Sequence, residues 1–294
     1  MSRFTVNEAF LSQLELLQSL LKNNVAGMFG GNRQSKNYGS SCEFADLRDY
    51  VPGDDITKID WNAYARFEKL YTKLYLDERQ MHTRIYIDAS RSMDYGRGGK
   101  AEQAVKLAAA LAYMAVNELD RVSIHVIKDN YVKEIMPPTL GKDNFFERIG
   151  KLNEIEFDGD SRISEAILPS TVGAGDGMSV IISDFLTDND FETAIDYLVR
   201  KHRDVLCVQI LSKDEINPQL SGKMHLFDSE NSEKSYKKNI DRDILKAYRA
   251  AVEYATGRIR DFCLSRGAAY FLAPAEDDIG ELMFGRLVDT GVVK

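Results

Sequence analysis

From residue 83 to the end of the chain, continuous apolar runs alternate with segments whose apolar residues recur at helical spacing. The runs Met178–Ser183 and Val205–Leu211 are apolar on both faces of an extended chain, which is typical of strands covered on both sides. The Ala-rich segment Lys100–Leu119 instead has the periodicity of a buried helix. This alternation predicts an α/β fold with a doubly wound, mainly parallel sheet flanked by helices.

The same pattern predicts the remaining elements of this region. Further strands are predicted at Arg84–Asp88, Val122–Ile127, Tyr131–Met136 and Ala269–Leu272. Helices are predicted at Asn144–Leu152, at Ser161–Leu168, along the stripe from Phe191 to Val199, from Asp241 to about Arg266, and at the C-terminal end. A polar hairpin interrupts the alternation, so we expect an insert near residues 223–240.

The first 80 residues have a different character. Apolar residues at helical spacing predict an amphipathic first helix; they are Phe10, Leu11, Leu14, Leu17, Leu20 and Leu21. Residues 32–75 mix polar and aromatic side chains without a sustained period, which indicates an irregular appendage. The sequence therefore predicts two parts: residues 1–80 with the helix and the appendage, and residues 81–294 as the α/β domain.

Composition and charge narrow the range of partners. The chain has 46 acidic and 38 basic residues and a net charge of -8, which argues against binding to nucleic acid or to an anionic membrane. No apolar run is long enough to cross a bilayer, and the N-terminus lacks the pattern of a secretion signal, so we expect a cytoplasmic protein without membrane insertion. Cys42, Cys207 and Cys263 are far apart, which predicts reduced thiols, with Cys207 in a buried strand.

Two predicted strands end in residues that suit a metal ion. The loop Asp88-Ala-Ser90-Arg-Ser92 follows the first strand of the sheet, and Asp184 follows Met178–Ser183. Open α/β sheets bind ligands at such carboxyl ends, where the order of the strands reverses. Carboxylate and hydroxyl oxygens are ligands for hard cations. We therefore predict a site for Mg²⁺, or for Mn²⁺ or Ca²⁺, at this edge of the sheet.

These residues resemble the metal-ion-dependent adhesion site of the von Willebrand factor A superfamily, which consists of D-x-S-x-S, a distant threonine and a distant aspartate. The resemblance implies that Ser90 and Ser92 contact the metal directly. It also implies that Asp88 and Asp184 act largely through coordinated water. An acidic side chain of a protein partner would complete the coordination shell.

Serine stands at the threonine position of this pattern. The segment Phe157-Asp-Gly159-Asp-Ser161 is similar to the glycine-then-threonine turn of the superfamily, and Ser161 keeps the hydroxyl that a ligand needs. A helix N-cap is the competing interpretation of Ser161, because serine oxygens accept free backbone N–H groups. Thr171 and Ser164 are alternative ligands.

A second resemblance lies upstream of the sheet. Its chained motif is Gly39-x-x-x-Glu43-Phe44-x-x-Leu47-Arg48-x-Tyr50-x-x-Gly53-Asp54-Asp55, followed by Ile59-Asp60-Trp61 and Ala65-Arg66. The motif strongly resembles the bacterial domain-of-unknown-function 58 family, and the resemblance covers most of residues 36–200. Thr57, where a basic residue is common, and Ser161 are its departures. It implies work beside a MoxR-type AAA ATPase in the maturation or assembly of other complexes.

Together these features predict a non-enzymatic, metal-dependent protein-binding module without catalytic residues. One alternative is a metal-assisted phosphohydrolase with Asp88 as its nucleophile, although Ser90 stands where the D-x-D pattern of such enzymes needs a second acid. The other is a metal-free scaffold that contacts an ATPase through the appendage around Trp61.

Structural interpretations compete with several of these hypotheses. The Asp88 loop has the residues of an Asx-turn, although Asp184 and the upstream motif favour a metal site. Trp61 and Arg66 are expected to be structural, as a core anchor and a partner for a buried aspartate that pack the appendage on the sheet. The histidines are on separate predicted elements and are assigned no role; they are His82, His125, His202 and His225.

One glycine-rich run invites comparison with a nucleotide-binding motif. The run Gly96-Arg-Gly98-Gly99-Lys100 is rich in glycine and ends in lysine, like a phosphate-binding loop. A Walker A motif would need glycine at position 94 and serine or threonine at position 101. Asp94 and Ala101 exclude that interpretation, and no function is assigned to Lys100.

Overall fold

The computed structural model describes residues 6, 9–16, 44–75, 81–94, 99–170, 177–227 and 235–283. The chain divides into two compact units, residues 30–80 and residues 1–29 together with 81–294. Helix α1, described at residues 9–16, therefore belongs to the larger unit, whereas the sequence grouped it with the appendage. The physical reason is that Val6, Phe10 and Leu14 are buried in the main core. Leu17, Leu20 and Leu21 lie outside the described residues.

The smaller unit has regular structure. Strand β1 (Phe44–Asp49) pairs antiparallel with β2 (Tyr71–Tyr75), and a 3-10 turn (Ile56–Lys58) and helix α2 (Trp61–Phe67) lie between them. The expectation of an irregular appendage was therefore wrong for this part of the chain. The pairing joins segments distant in sequence and the helix is short, so neither element leaves a clear period in the sequence.

Trp61 is not a core anchor, because its side chain is 58% exposed at the start of α2. Its ring contacts only Tyr64 among the aromatic side chains of the described residues, edge to face. Asp60 caps α2 by accepting hydrogen bonds from the backbone N–H groups of Asn62 and Ala63. Its ion pair is with Lys73, at 3.7 Å, and Arg66 near the end of α2 is exposed.

The larger unit is built on a six-stranded sheet with the order β10-β7-β6-β3-β4-β5. Its strands are β3 (His82–Asp88), β4 (Arg121–Lys128), β5 (Tyr131–Thr139), β6 (Met178–Ser183), β7 (Asp204–Leu211) and β10 (Ala269–Pro274). All neighbours are parallel except β5, which is antiparallel to β4. The predicted doubly wound, mainly parallel sheet is confirmed, and its strand order reverses between β3 and β6.

Helices cover both faces of this sheet. They are α3 (Lys100–Asn117), α4 (Lys142–Ile149), α5 (Ile163–Ile167), α6 (Glu192–Arg200), α7 (Lys213–Ile216), α8 (Arg242–Ser265) and α9 (Ile279–Glu281). Helices α1, α3 and α4 supply the core of one face, and α5, α6 and the C-terminal end of α8 supply the other. The predicted hairpin is present as β8 (Gly222–Phe227) and β9 (Ser235–Ile240), in a sheet of its own.

Two further findings concern membranes and thiols. Within the described ranges, no helix combines the length and the apolar character that crossing a bilayer requires. Cys207 and Cys263 are free and buried, as the sequence predicted for Cys207. Cys42 lies outside the described residues.

Two histidines, at the start of β3 and in the middle of β4, share one hydroxyl. His82 Nε2 lies 2.8 Å and His125 Nε2 lies 3.0 Å from the Oγ atom of Ser123. Burial, followed by the charges of Arg84 and Arg203, lowers the pKa of His82 to about 4. Burial and then Arg84 lower the pKa of His125 to about 4 as well. Both imidazoles are therefore neutral in the folded protein at neutral pH.

The packing of α1 on the larger unit predicts unequal effects of one substitution at two positions. Leu14 is 3% exposed and Leu16 is 67% exposed on the same helix. Leu14→Ala should lower the free energy of unfolding by about 2–5 kcal/mol, because it leaves a cavity in the core. Leu16→Ala should change it by less than about 0.5 kcal/mol. Urea denaturation measures both, and equal effects would contradict the assignment of α1 to this core.

The paired histidines predict a loss of stability in acid. Their pKa falls from 6.5 in the unfolded chain to about 4 in the folded protein, so only the unfolded chain takes up protons between these values. The stability that neutral His82 and His125 contribute is complete above pH 6.5 and is lost as the pH falls toward 4. In urea denaturation at pH 7 and pH 5, the double variant His82→Gln/His125→Gln should lose less stability between the two pH values than the wild type. Exposed His202→Asn is the control, and a double variant with the wild-type pH dependence would refute the assignment.

Candidate metal site

The loop after β3 is held against a second loop by backbone hydrogen bonds. The N–H of Arg91 donates to the carbonyl of Gly159 at 2.9 Å, and the N–H of Gly159 donates to the carbonyl of Ala89 at 3.1 Å. Ser90 and Gly159 thereby form a short parallel bridge. This bridge brings the segment that contains Ser161 to the end of β3.

Glycine is required at position 159 because the chain passes close to β4. A Cβ atom added there would lie 2.8 Å from Cγ of Lys128 and 3.3 Å from the backbone nitrogen of Asp129. Asp129 and Ser161 form a second parallel bridge just beyond this contact. The close approach therefore fixes the position of the Ser161 hydroxyl.

Asp88 is the centre of the resulting network. Its Oδ1 atom accepts the backbone N–H of Ser90 at 3.0 Å, and Oδ2 accepts the hydroxyls of Ser161 at 2.7 Å and Ser183 at 2.6 Å. Complete burial, followed by the negative charge of Asp184, raises the pKa of Asp88 to about 6 against the opposing effect of these hydrogen bonds. Burial thus destabilises the charged form of Asp88, and the three hydrogen-bond donors stabilise it.

Ser90 and Ser92 present two neighbouring hydroxyl oxygens. Their Oγ atoms lie 3.0 Å apart, and both side chains are buried. Two adjacent ligands of an octahedral Mg²⁺ ion, each about 2.0–2.1 Å from the metal, are separated by about 2.9 Å. The spacing of the two hydroxyls therefore fits adjacent positions in such a shell.

The structure distinguishes between the interpretations of the third hydroxyl. Helix α5 starts at Ile163, two residues beyond Ser161, and Arg162 at its N-cap makes no side-chain capping bond. Ser161 donates to Asp88 and is not the N-cap of this helix. The Ser164 hydroxyl accepts the N–H of Ala194, which directs it toward α6. Thr171 lies outside the described residues.

Asp184, at the end of β6, has a different set of partners. Its Oδ1 atom accepts the N–H of Leu186 at 3.1 Å, and Oδ2 accepts the ammonium group of Lys100 at 2.9 Å. Lys100 is only 3% exposed and also bonds Oε1 of Glu215 at 2.6 Å. Burial disfavours the ammonium form, but the carboxylates of Asp184 and Glu215 outweigh it and raise the pKa of Lys100.

Glu215 connects this ion pair to α7. Ser212 and Glu215 form a capping box, in which each side chain bonds the backbone N–H of the other residue. Gln209 of β7 donates to the carbonyl of Asp184 at 2.8 Å and accepts the hydroxyl of Tyr270. The ends of β6 and β7 and the start of α7 are thereby tied to Lys100.

The structure brings all five predicted site residues to one edge of the sheet. Asp88, Ser90, Ser92 and Ser161 are joined by hydrogen bonds, and Asp184 acts on Asp88 through its charge. Over the described part of the chain, no group of three or more His, Cys, Asp or Glu residues has metal-binding geometry. A metal ion here would therefore need the serine hydroxyls as ligands beside the two carboxylates, and such all-oxygen donors suit Mg²⁺.

Three residues of this region were missed in the sequence. In the sequence, Ser183 looks like no more than the last residue of an apolar strand. Its hydroxyl stands directly before Asp184, and this position was a signal that it belongs to the site. The position of Lys100 was a second signal. It begins a helix whose other residues are mostly buried, and a buried ammonium group needs a carboxylate partner. No sequence rule connects Lys100 with Glu215, 115 positions away.

The buried ion pair predicts a large effect on stability. Lys100→Met should lower the free energy of unfolding by about 3–5 kcal/mol, because it leaves two carboxylates without their cation. Lys106→Met is the matched control on the same helix, since its pair with Glu102 is partly exposed and should contribute less than about 1 kcal/mol. Urea denaturation compares the two variants, and an equally small loss in both would contradict the structural role of Lys100.

Comparison with known proteins places the chain in a family. Uncharacterised proteins of Mycobacterium bovis and Mycobacterium tuberculosis are 24% identical to it over 224 residues, which cover 74% of this chain and 70% of theirs. A conserved hypothetical protein, BatB, from Bacteroides thetaiotaomicron has a TM-score of 0.42 at 14% identity, over 69% of this chain and 95% of that one. The SpRpn10 VWA domain has a TM-score of 0.37 at 11% identity, over 69% of this chain and 92% of that one. The sequence profile of the family described as protein of unknown function DUF58 matches residues 46–257, and the chain belongs to this family, as its upstream motif predicted.

Proposed function

We propose that the larger unit is a non-enzymatic module that binds an acidic side chain of a protein partner through a divalent cation. The observation that carries this proposal is the pair of buried hydroxyls of Ser90 and Ser92, 3.0 Å apart beside two carboxylates. Ser90, Ser92 and Ser161 would hold Mg²⁺ as neutral ligands. When bound, the cation would supply a coordination position that an acidic oxygen of the partner fills.

The two aspartates have the partners expected of groups that support a metal through water. Each carboxylate oxygen has about two acceptor positions. Asp88 uses them to orient the backbone of Ser90 and the hydroxyls of Ser161 and Ser183. Asp184 is positioned by Lys100 and by the N–H of Leu186. Hydrogen-bonded groups of this kind orient the ligands that touch a metal.

The state of Asp88 favours binding over phosphoryl transfer. A nucleophilic carboxylate needs an oxygen that faces its substrate. Asp88 is completely buried, and both of its oxygens accept hydrogen bonds from protein groups. Burial also raises its pKa to about 6, with Asp184 adding to the effect. These properties suit a structural anchor, and they give no support to the phosphohydrolase alternative.

A MoxR-type AAA ATPase is the partner that we propose for this module, in the maturation or assembly of another complex. What supports this partner is the resemblance of residues 39–66 and of the Asp88 loop to the DUF58 family. Co-purification of the two proteins with Mg²⁺, but not with a chelator, would distinguish this proposal from the metal-free scaffold.

Titration calorimetry with Mg²⁺ and Mn²⁺ tests the metal site. The wild type should bind one ion, and Asp88→Asn and Ser161→Ala should each weaken binding at least about tenfold, as loss of supporting groups does at other metal sites. Ser161→Thr should retain binding, because threonine supplies the same hydroxyl.

The control is Asp120→Asn, which removes a half-buried carboxylate at the opposite end of the sheet, beside Met81. It should bind the metal like the wild type. Binding that is unchanged in Asp88→Asn would rule out this site as the location of the metal. Thermal unfolding of each variant, measured without metal, separates loss of ligands from loss of the fold.

A further inference from the structure

Arg91 stands between two of the proposed hydroxyl ligands of the candidate site. Ser90 precedes it and Ser92 follows it, and both of these side chains are buried, whereas Arg91 is exposed. The Nε–H group of Arg91 donates to the backbone carbonyl of Asp158 at 3.0 Å. The guanidinium group is therefore held at the rim of the site, where the loop after β3 meets the loop that carries Ser161.

Two other basic residues near these loops are already paired with carboxylates. Lys128, at the end of β4, forms an ion pair with Asp158. Arg162, beside the third hydroxyl, forms one with Asp160 at 2.9 Å. Among the described residues, no carboxylate lies within ion-pair distance of Arg91, and no group accepts a hydrogen bond from its two Nη nitrogens. The hydrogen bond from Lys128 lowers the pKa of Asp158 most, and the charge of Arg91 acts on it only weakly.

The two Nη nitrogens form the end of the guanidinium group that suits a carboxylate. Arginine carries its N–H donors in a planar fork, and the donor on Nε is bound to Asp158. Two parallel N–H groups at the end of the fork can bind both oxygens of one carboxylate, which adds a defined geometry to the attraction between the charges. Arg91 is therefore oriented to receive a carboxylate from outside the chain.

Carboxylates of the protein itself surround the site. Asp158 and Asp160 lie in the second loop, and Asp188 lies in the loop after β6, which donates hydrogen bonds to the carbonyl of Ser161. An acidic partner would be repelled by these groups, because like charges that come close together raise the energy of a complex. Attraction is available at the proposed cation and at Arg91. The surroundings of the site therefore favour a partner whose acidic side chains are placed at these two points.

We infer that Arg91 determines the specificity of the candidate site, by selecting a partner segment that carries two neighbouring carboxylates. One carboxylate binds the cation that the serine hydroxyls hold, and the other pairs end-on with the Nη groups of Arg91. Two acidic residues separated by one residue of an extended segment are about 7 Å apart, which suits two binding points on adjoining residues of this loop. The inference rests on the proposed function, because the first carboxylate needs the cation.

Peptides with blocked ends test this selection. Ser-Glu-Ser-Glu-Ser carries two acids, and Ser-Glu-Ser-Gln-Ser and Ser-Gln-Ser-Glu-Ser carry one each. Nuclear magnetic resonance titration in Mg²⁺ measures their affinities for the protein. The wild type should bind the two-acid peptide about tenfold more tightly than either of the others. About twofold of this ratio is statistical, because either carboxylate can bind the cation, and about fivefold comes from the exposed ion pair with Arg91.

Arg91→Gln should reduce this ratio to the statistical value of about twofold and should bind the one-acid peptides like the wild type. The matched control is Arg162→Gln, which removes the same charge from an exposed arginine that is already paired, and it should keep the ratio of about tenfold. In calorimetry, Arg91→Gln should bind Mg²⁺ within about twofold of the wild type, because an exposed guanidinium group is screened by solvent and salt.

The outcomes separate Arg91 from the metal site. An unchanged ratio in Arg91→Gln, or an equal loss in Arg162→Gln, refutes the role of Arg91 and leaves the proposed function intact where the peptides still need Mg²⁺. Weaker binding of Mg²⁺ in Arg91→Gln, as expected for Ser161→Ala, would make Arg91 a positioning residue and overturn the inference. Binding of the two-acid peptide that survives a chelator but falls in Arg91→Gln supports the contact with Arg91 and refutes the cation bridge. A wild type that binds none of the three peptides contradicts both proposals.

Discussion

The charge of Asp88 is the constraint on which the candidate site depends. A carboxylate at the end of a central strand is removed from water, so its charged form needs donors from the protein. They come from three segments: the N–H of Ser90 in the loop after β3, the hydroxyl of Ser161 before α5, and the hydroxyl of Ser183 at the end of β6. The segments that form the site are therefore held together by the same group that makes it suitable for a cation.

Much of the larger unit and of this site could be predicted, because each depends on patterns local to the sequence. Central strands such as β6 and β7 are continuous apolar runs, and the ends of parallel strands meet at one edge of the sheet. This reasoning placed Asp88 and Asp184 together before any contact was known. The metal itself stays a prediction.

What the sequence did not reveal depends on contacts between distant segments. The antiparallel pairing of β1 with β2 and the burial of α1 in the main core are set by tertiary packing, which no local period records. The exposed position of Trp61 likewise contradicts the usual preference of tryptophan for the interior. The partners of Lys100 follow it by 84 and 115 positions, so no local motif indicates its role.

Lys100 also explains how two acidic groups are tolerated so close together. Its ammonium offsets the charge of Asp184, which otherwise adds to the cost of ionising Asp88. The same ammonium bonds Glu215, which is part of the capping box at the start of α7. A cation or a partner that changed the position of Asp184 would therefore act on α7 and on α8, which packs against it. The candidate metal site and α7 are in this way parts of one hydrogen-bonded network.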